Sequence, residues 1–275
     1  MSDRPIGFLD SGIGGIPYLL AARSASPSRR YVYYADNLNF PYGDRPVDEV
    51  RRIVVAAVSR LIEVVDPALI VVACNTASVV GLDELRGRFE LPFVGVVPAI
   101  KPAAEIVQAK RIGVLATSRT VRDPYVSDLI RRFAFSSLVE LVAADSLVRL
   151  IEDQLGTVGE AELREAVRQP VERLLESGVE AIVLGCTHFV HVRGIIETMA
   201  GEAISVIDSV DGVVRQMLRL AGPDNPGAPP ATPRLVLSDP SRAGASYRYL
   251  VSAYGFVRMD TEKSAPKSTD KAGDR

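Results

Sequence analysis

The chain has 275 residues, 47% of them apolar and 24% charged. At roughly 100–200 residues per domain this is one large domain or two small ones with enough apolar material for a core, and global disorder is excluded. Its 32 basic residues nearly balance 34 acidic ones, for a formal net charge of -2, which leaves no electrostatic footprint for nucleic acid or an anionic membrane surface.

Two cysteines are present, Cys74 and Cys186. A disulfide scaffold needs more, and a zinc site would have to recruit other ligands. The N-terminus runs from Met1 to Pro5 and then directly into the apolar Ile6–Leu9, without the apolar stretch of a secretory signal. The longest apolar region, 53–72, is interrupted by Arg60, Glu63, Asp66 and Pro67 and cannot cross a bilayer, which needs about 20 apolar residues. The expectation is a cytoplasmic protein with no membrane and no nucleic-acid partner.

In chain order, Ile6–Leu9 reads as a short buried strand followed by Asp10-Ser11-Gly12-Ile13-Gly14-Gly15. That glycine cluster lacks the dinucleotide-binding spacing and predicts a tight strand-to-helix turn, with a substrate carboxylate nearby. Tyr31–Ala35 is a second strand, ending at Asp36. Pro46 opens an amphipathic helix in which Val47, Val50, Val54, Ala57, Val58, Leu61, Ile62 and Val65 recur at helical spacing. Asp66-Pro67 breaks it. Ala68–Ala73 is a further strand, and Cys74-Asn75-Thr76 stands at its end. Continuous apolar strands alternating with helices predict a parallel sheet covered on both faces, with ligands bound beyond the carboxyl ends of the strands.

The second half repeats the plan. Arg111–Ser118 echoes Pro5–Ser11, and Glu180–His188, with Cys186-Thr187-His188 at its end, echoes Ala68–Thr76. Two related α/β halves follow, each placing one cysteine at a strand end. A helix over about 160–177 contains Pro170, which predicts a kink or a break. Beyond Val206–Ser209 come a helix to about Leu220, a Pro/Gly-rich linker over 222–233, a strand at 235–238 and a helix over 241–253. From Arg258 onward nine of eighteen residues are charged, which predicts a disordered tail.

Free cysteine is commonly a small core hydrophobe. Here each cysteine stands at a strand end beside polar residues, before a predicted helix whose N-terminus favours a thiolate. The Cys-x-x-Cys spacing of a thiol exchanger is absent, and a cysteine hydrolase leaves the second thiol without a role. Two thiols on opposite faces of one carbon would invert it, one removing a proton and the other donating one.

The motifs Asp10–Gly15, Pro41-Tyr42-Gly43, Ala73–Ser78, Gly95–Ala99 and Gly185–His188 resemble those of the glutamate racemase family, over about residues 5–220. The resemblance implies an α/β fold of two pseudo-symmetric domains, each a mostly parallel sheet flanked by helices, with the active site in the cleft between them. The domains would be residues 1–97 plus 208–257 and residues 98–207, with 258–275 as the tail. It implies interconversion of L- and D-glutamate without cofactor or metal, supply of D-glutamate for peptidoglycan, and a homodimer. Residue by residue, Cys186 would take the proton from L-glutamate and Cys74 from D-glutamate. Asp10 would support Cys74, and His188 would support Cys186. Glu152 and Asp36 match two further acids, Glu152 having a solvated helix position as its plainer reading. Ser11, Tyr42, Gly43, Asn75, Thr76 and Thr187 match substrate contacts, joined by Thr117 and Thr120 from the second domain. Asp10 or Glu152 would meet the substrate ammonium. His191 has no assigned part. The sequence departs from the family after the second cysteine, where Phe189-Val190-His191 replaces the more usual Tyr-Pro-Leu. Rival readings are an aspartate or broad-specificity racemase, a non-catalytic regulator such as a gyrase inhibitor, and a thiol redox protein with a Cys74–Cys186 disulfide.

Overall fold

The computed structural model describes residues 4–105, 107–223, 227 and 229–259. In chain order these form β1 (Ile6–Asp10), α1 (Ile16–Ala25), β2 (Tyr31–Ala35), α2 (Val47–Val65), β3 (Leu69–Val72), α3 (Asn75–Arg88), β4 (Phe93–Gly95), α4 (Ile100–Glu105), β5 (Arg111–Ala116), α5 (Ser118–Val121), α6 (Pro124–Phe133), β6 (Leu138–Ala143), α7 (Asp145–Gln154), α8 (Glu160–Glu176), β7 (Ala181–Leu184), α9 (Arg193–Ala200), β8 (Ser205–Ile207), α10 (Val210–Ala221), β9 (Arg234–Leu237), α11 (Ala245–Tyr254) and β10 (Val257–Met259). The strands make two sheets, ordered β10-β9-β2-β1-β3-β4 and β6-β5-β7-β8, and every pairing is parallel. The run β2-β1-β3-β4 repeats as β6-β5-β7-β8, so the two halves share one topology and β3 and β7 hold equivalent places.

Burial explains why these runs are strands. Every residue of β1, β2, β3 and β7 is buried, as expected where helices cover both faces of a sheet. Helix α2 buries Val50, Val54, Val55, Ala57, Val58 and Leu61 as one stripe and stops at Asp66, which adopts a left-handed conformation with φ 48°. One apolar cluster lies on a single face of the first sheet, around Leu9, Val58 and Ile70. A second lies within the other half, around Ile112, Val114 and Val183. The third joins the halves: Phe8, Ile13 and Tyr33 pack in it with Leu115, Ile151, Leu184 and Phe189.

The fold differs from the sequence reading in three places. Helix α8 runs on through Pro170, so the proline does not break it. A mid-helix proline costs about 3 kcal/mol, and the buried Val167, Val171 and Leu174 around it supply apolar burial that offsets such a cost. Arg258 does not begin a tail, because Val257, Arg258 and Met259 pair with Arg234, Leu235 and Val236 as an edge strand. The rest of the expected tail, 260–275, lies outside the described residues. The last helix starts at Ala245, with a short 3-10 turn at Pro240–Arg242 before it. The linker reading holds for the described residues from Gly222 to Pro233, which carry no helix or strand.

Candidate active site

A cleft between the two sheets is lined from four strand ends: Ser11 after β1, Cys74, Asn75 and Thr76 after β3, Thr117 after β5, and Cys186, Thr187 and His188 after β7. The Phe40–Asp44 loop and the α7 residues Asp145, Val148 and Arg149 complete its wall. The free space enclosed is about 20 Å³, room for about one water. Both cysteines are buried free thiols. Of the residues the sequence motifs single out, Ser11, Tyr42, Gly43, Cys74, Asn75, Thr76, Thr117, Cys186, Thr187 and His188 line one cleft. Asp10, Asp36, Thr120 and Glu152 are buried but stand behind that wall.

Asp10 ends β1 with its side chain wholly buried. Its Oδ1 accepts from Gly12 N (2.9 Å) and Ser11 Oγ (3.2 Å), and its Oδ2 accepts from Thr187 Oγ1 (3.1 Å) across the cleft. Burial outweighs the nearby His188 charge and the Gly12 amide, and lifts the carboxyl from 3.8 to about 6. Cys74 caps α3 with its backbone, and no side chain caps that helix. Burial and then the Asp10 charge push the Cys74 thiol well up, despite hydrogen bonds with the Ala77 and Ser11 backbone. The expectation that the helix N-terminus lowers this thiol is therefore reversed: desolvation is the larger effect.

On the other wall, Cys186 Sγ lies 3.9 Å from His188 Nδ1. His188 Nε2 donates to Glu152 Oε2 at 2.9 Å. Burial alone would discharge the imidazole, but the Cys186 and Glu152 contacts overcome it and hold His188 well above its usual range, as an imidazolium at neutral pH. Glu152 is 5% exposed and not a solvated helix residue. Its carboxylate also accepts from Ile13 N (2.8 Å) and Tyr247 Oη (2.6 Å). With those three donors it is turned toward His188, and Asp10 is likewise engaged. Neither sits in the cleft wall where an ammonium would be met.

The glycine cluster has a purpose the sequence hides. A Cβ on Gly12 would overlap the Glu152 carboxylate, and one on Gly14 would overlap Thr187 and the His188 ring. The turn is glycine-rich because the opposite half presses against it. His191, given no part from sequence, donates from Nε2 to Ile13 O at 3.0 Å. The Ile13 peptide is thus held at both ends, by Glu152 and by His191. Burial lowers the His191 ring to about 4, so it stays neutral. Asp36 accepts from Tyr42 Oη (2.6 Å) and Asn39 Nδ2 (3.0 Å); it shapes the loop that carries Tyr42 and Gly43. Thr117 Oγ1 donates to Thr120 Oγ1 (3.0 Å) and lies 3.4 Å from Thr76 Oγ1, a hydroxyl cluster across the cleft. Asn75 is 2% exposed, yet neither its Oδ1 nor its Nδ2 has a protein partner. Buried amides are almost always paired, so Asn75 is free to bind a polar ligand in the cleft.

Among the described residues no group of three or more His, Cys, Asp or Glu is placed to hold a metal ion, and no helix is long and apolar enough to cross a membrane. Fold and site together combine paired parallel α/β halves, a thiol from each on one cleft, and an acid or imidazolium behind each thiol, and the relatives place the chain among isomerases. Residues 18–217 match the family described as Asp/Glu/Hydantoin racemase. Glutamate racemase of Treponema pallidum (strain Nichols) is 41% identical over 229 residues, covering 82% of this chain and 85% of that protein. Glutamate racemase of Brucella anthropi is 40% identical over 233 residues, 81% of each chain. The crystal structure of Escherichia coli glutamate racemase in complex with L-glutamate and the activator UDP-MurNAc-Ala superposes with a TM-score of 0.79 at 33% identity, over 93% of this chain and 97% of that one. The chain belongs to the Asp/Glu/Hydantoin racemase family.

Proposed function

We propose that the protein interconverts L- and D-glutamate in the cytoplasm, supplying D-glutamate for peptidoglycan, with Cys74 and Cys186 as the two acid/base groups. The observation that carries this reading is the pair of free thiols, one from each half, on the wall of a single cleft. The similarity to the Escherichia coli glutamate racemase, whose structure holds L-glutamate, supports the substrate.

The chemistry follows from the walls. In L-glutamate, the Cys186 thiolate takes the α-proton, with the His188 imidazolium beside it as counter-charge. The electron pair is left on a flattened α-carbon and its carboxylate. Cys74, held as a thiol by burial and Asp10, delivers a proton to the opposite face. Each turnover thus moves one proton onto Cys186 and one off Cys74, and D-glutamate reverses both transfers. Asn75, Thr76, Ser11 and Thr187 offer amide and hydroxyl donors, and the first turn of α3 opens onto the same space, which suits carboxylate binding. The two lobes, residues 1–97 plus 208–259 and residues 98–207, part to admit the substrate and close to exclude water.

A circular-dichroism assay on L-glutamate and L-aspartate, without added cofactor, tests the substrate. Glutamate should lose its signal, and aspartate, one methylene shorter, should react at least tenfold more slowly. Faster reaction with aspartate would move the assignment to an aspartate racemase, and a flat trace with both would leave a binding protein.

A further inference from the structure

Helix α11 comes from the returning C-terminal segment, remote in sequence from both cysteines, yet its Tyr247 reaches the site. The side chain is 4% exposed, and its hydroxyl donates to Glu152 Oε1 at 2.6 Å. The other oxygen, Oε2, takes the Ile13 amide at 2.8 Å and His188 Nε2 at 2.9 Å. Two oxygens of one buried carboxylate are thereby divided, with Tyr247 engaging Oε1 while Oε2 faces His188. We propose that Tyr247 is a positioning residue, whose hydrogen bond to Oε1 holds the Glu152 carboxylate so that Oε2 faces His188 Nε2 and keeps the ring proton beside Cys186.

The physical reason is the choice between two states of a buried pair. The proton between His188 and Glu152 can rest on the ring, giving an ion pair, or on the carboxyl, giving two neutral groups. A hydrogen bond to a carboxylate favours its charged form, and charge-assisted bonds of this kind are the strong ones. Burial and the Glu152 charge both hold the Tyr247 phenol well above its usual range, so it remains a donor at every working pH. The other groups around His188 do not replace it. Cys186 sits on the opposite ring nitrogen. Asp10 acts through space from β1. His191 stays neutral and is committed to Ile13 O, and the Phe40 ring packs 5.8 Å away, centroid to centroid. This proposal rests on the two-thiol racemase reading for its kinetic consequence, but not for the protonation of His188.

The chain has two histidines, so ring signals in nuclear magnetic resonance are assigned by one His188→Asn spectrum. In the wild type the His188 ring should remain charged above pH 7. In Tyr247→Phe, folded by circular dichroism, its transition should fall by about one unit. Elimination from an L-substrate with a leaving group on the β-carbon should drop about tenfold at pH 7, while elimination from the D-substrate, which uses Cys74, should hold within about twofold. A neutral His188 in the wild type at pH 7, or an unmoved transition with equal losses on both faces, overturns the proposal. Should Tyr247→Phe not fold, ring-fluorinated tyrosine, a stronger donor, is incorporated instead; the transition should then rise, and no movement overturns the proposal. If the wild type fails to interconvert glutamate, the racemase reading falls, and the His188 titration still decides the role of Tyr247.

Discussion

At the scale of single residues, the site sets charge against burial. Asp10 titrates near 6 rather than 3.8, so the native state holds a proton that the unfolded chain has released. The stability this gives is complete below about pH 3.8 and lost as pH rises through about 6. Above that the ionised carboxylate opposes folding, by on the order of 3 kcal/mol for a wholly buried group. Asp10→Asn should therefore raise the melting temperature at pH 7.5, with a smaller gain at pH 5, while the turnover rate falls by roughly a hundredfold or more. A melting temperature lowered at pH 7.5 would show that the carboxylate stabilises the fold. Gly14→Ala tests the other pressure. The new methyl has no room against His188 and Thr187; overpacking costs about 1–3 kcal/mol, and displacing His188 should remove most activity. Near-normal turnover in that variant would mean that the halves do not press together as described. The cysteines, Asn75 and His188 were legible because each adjoins a strand end. Tyr247 and His191 were not, because their partners, Glu152 and Ile13, lie 95 and 178 positions away and no local pattern marks such a pairing.

At the scale of elements, legibility tracked burial. β1, β2, β3 and β7 are buried along their whole length, and each shows in the sequence as an unbroken apolar run. β6 is half-exposed, with a burial pattern that mixes open and covered positions, and β4, β8 and β10 have three residues each. Strands that short leave no period to read. Helix α7, which carries Glu152, has an amphipathic pattern, but the pattern alone cannot say that its acid faces inward. The edge strand β10 sets where the chain can be cut. A chain ending at Met259 should keep its turnover and melting temperature. One ending at Phe256 removes the pairing with β9 and should melt lower, by roughly 2–4 °C for each kcal/mol lost. Thermal denaturation of both chains decides it; equal melting would show that β10 adds nothing, and a fall in the longer chain would show that 260–275 contribute.

For the whole molecule, the two halves are held unequally around the cleft. On one side Ile13, Glu152, His191 and Tyr247 are buried or nearly so and hydrogen-bonded between halves, within a shared apolar cluster. On the other, Asp44 pairs with Arg149 and Arg119 donates to Arg45 O at 3.1 Å, with the Asp44 and Arg149 side chains 40% and 56% exposed. The free space in the cleft is about 20 Å³, less than an amino acid fills, and we infer that the second side is the one that opens. Exposed ion pairs are worth about 0.2–1 kcal/mol. Arg149→Ala should thus raise the rate at which a small alkylating agent reaches the cysteines by a few-fold at most, and saturating glutamate should suppress it. Unchanged reactivity in Arg149→Ala would move the opening away from this ion pair.

The central claim is that each thiol serves one face of the α-carbon. Free L- and D-glutamate have equal free energy, so kcat/KM falls equally in both directions in any variant, and racemisation rates alone cannot separate the faces. Elimination from substrates with a leaving group on the β-carbon can, because it needs only the first proton removal. Cys74→Ser should abolish racemisation yet still eliminate from the L-substrate and not from the D-substrate; Cys186→Ser should give the mirror result. Loss of elimination from both enantiomers in both variants, or near-normal racemisation in either, would contradict the two-thiol account.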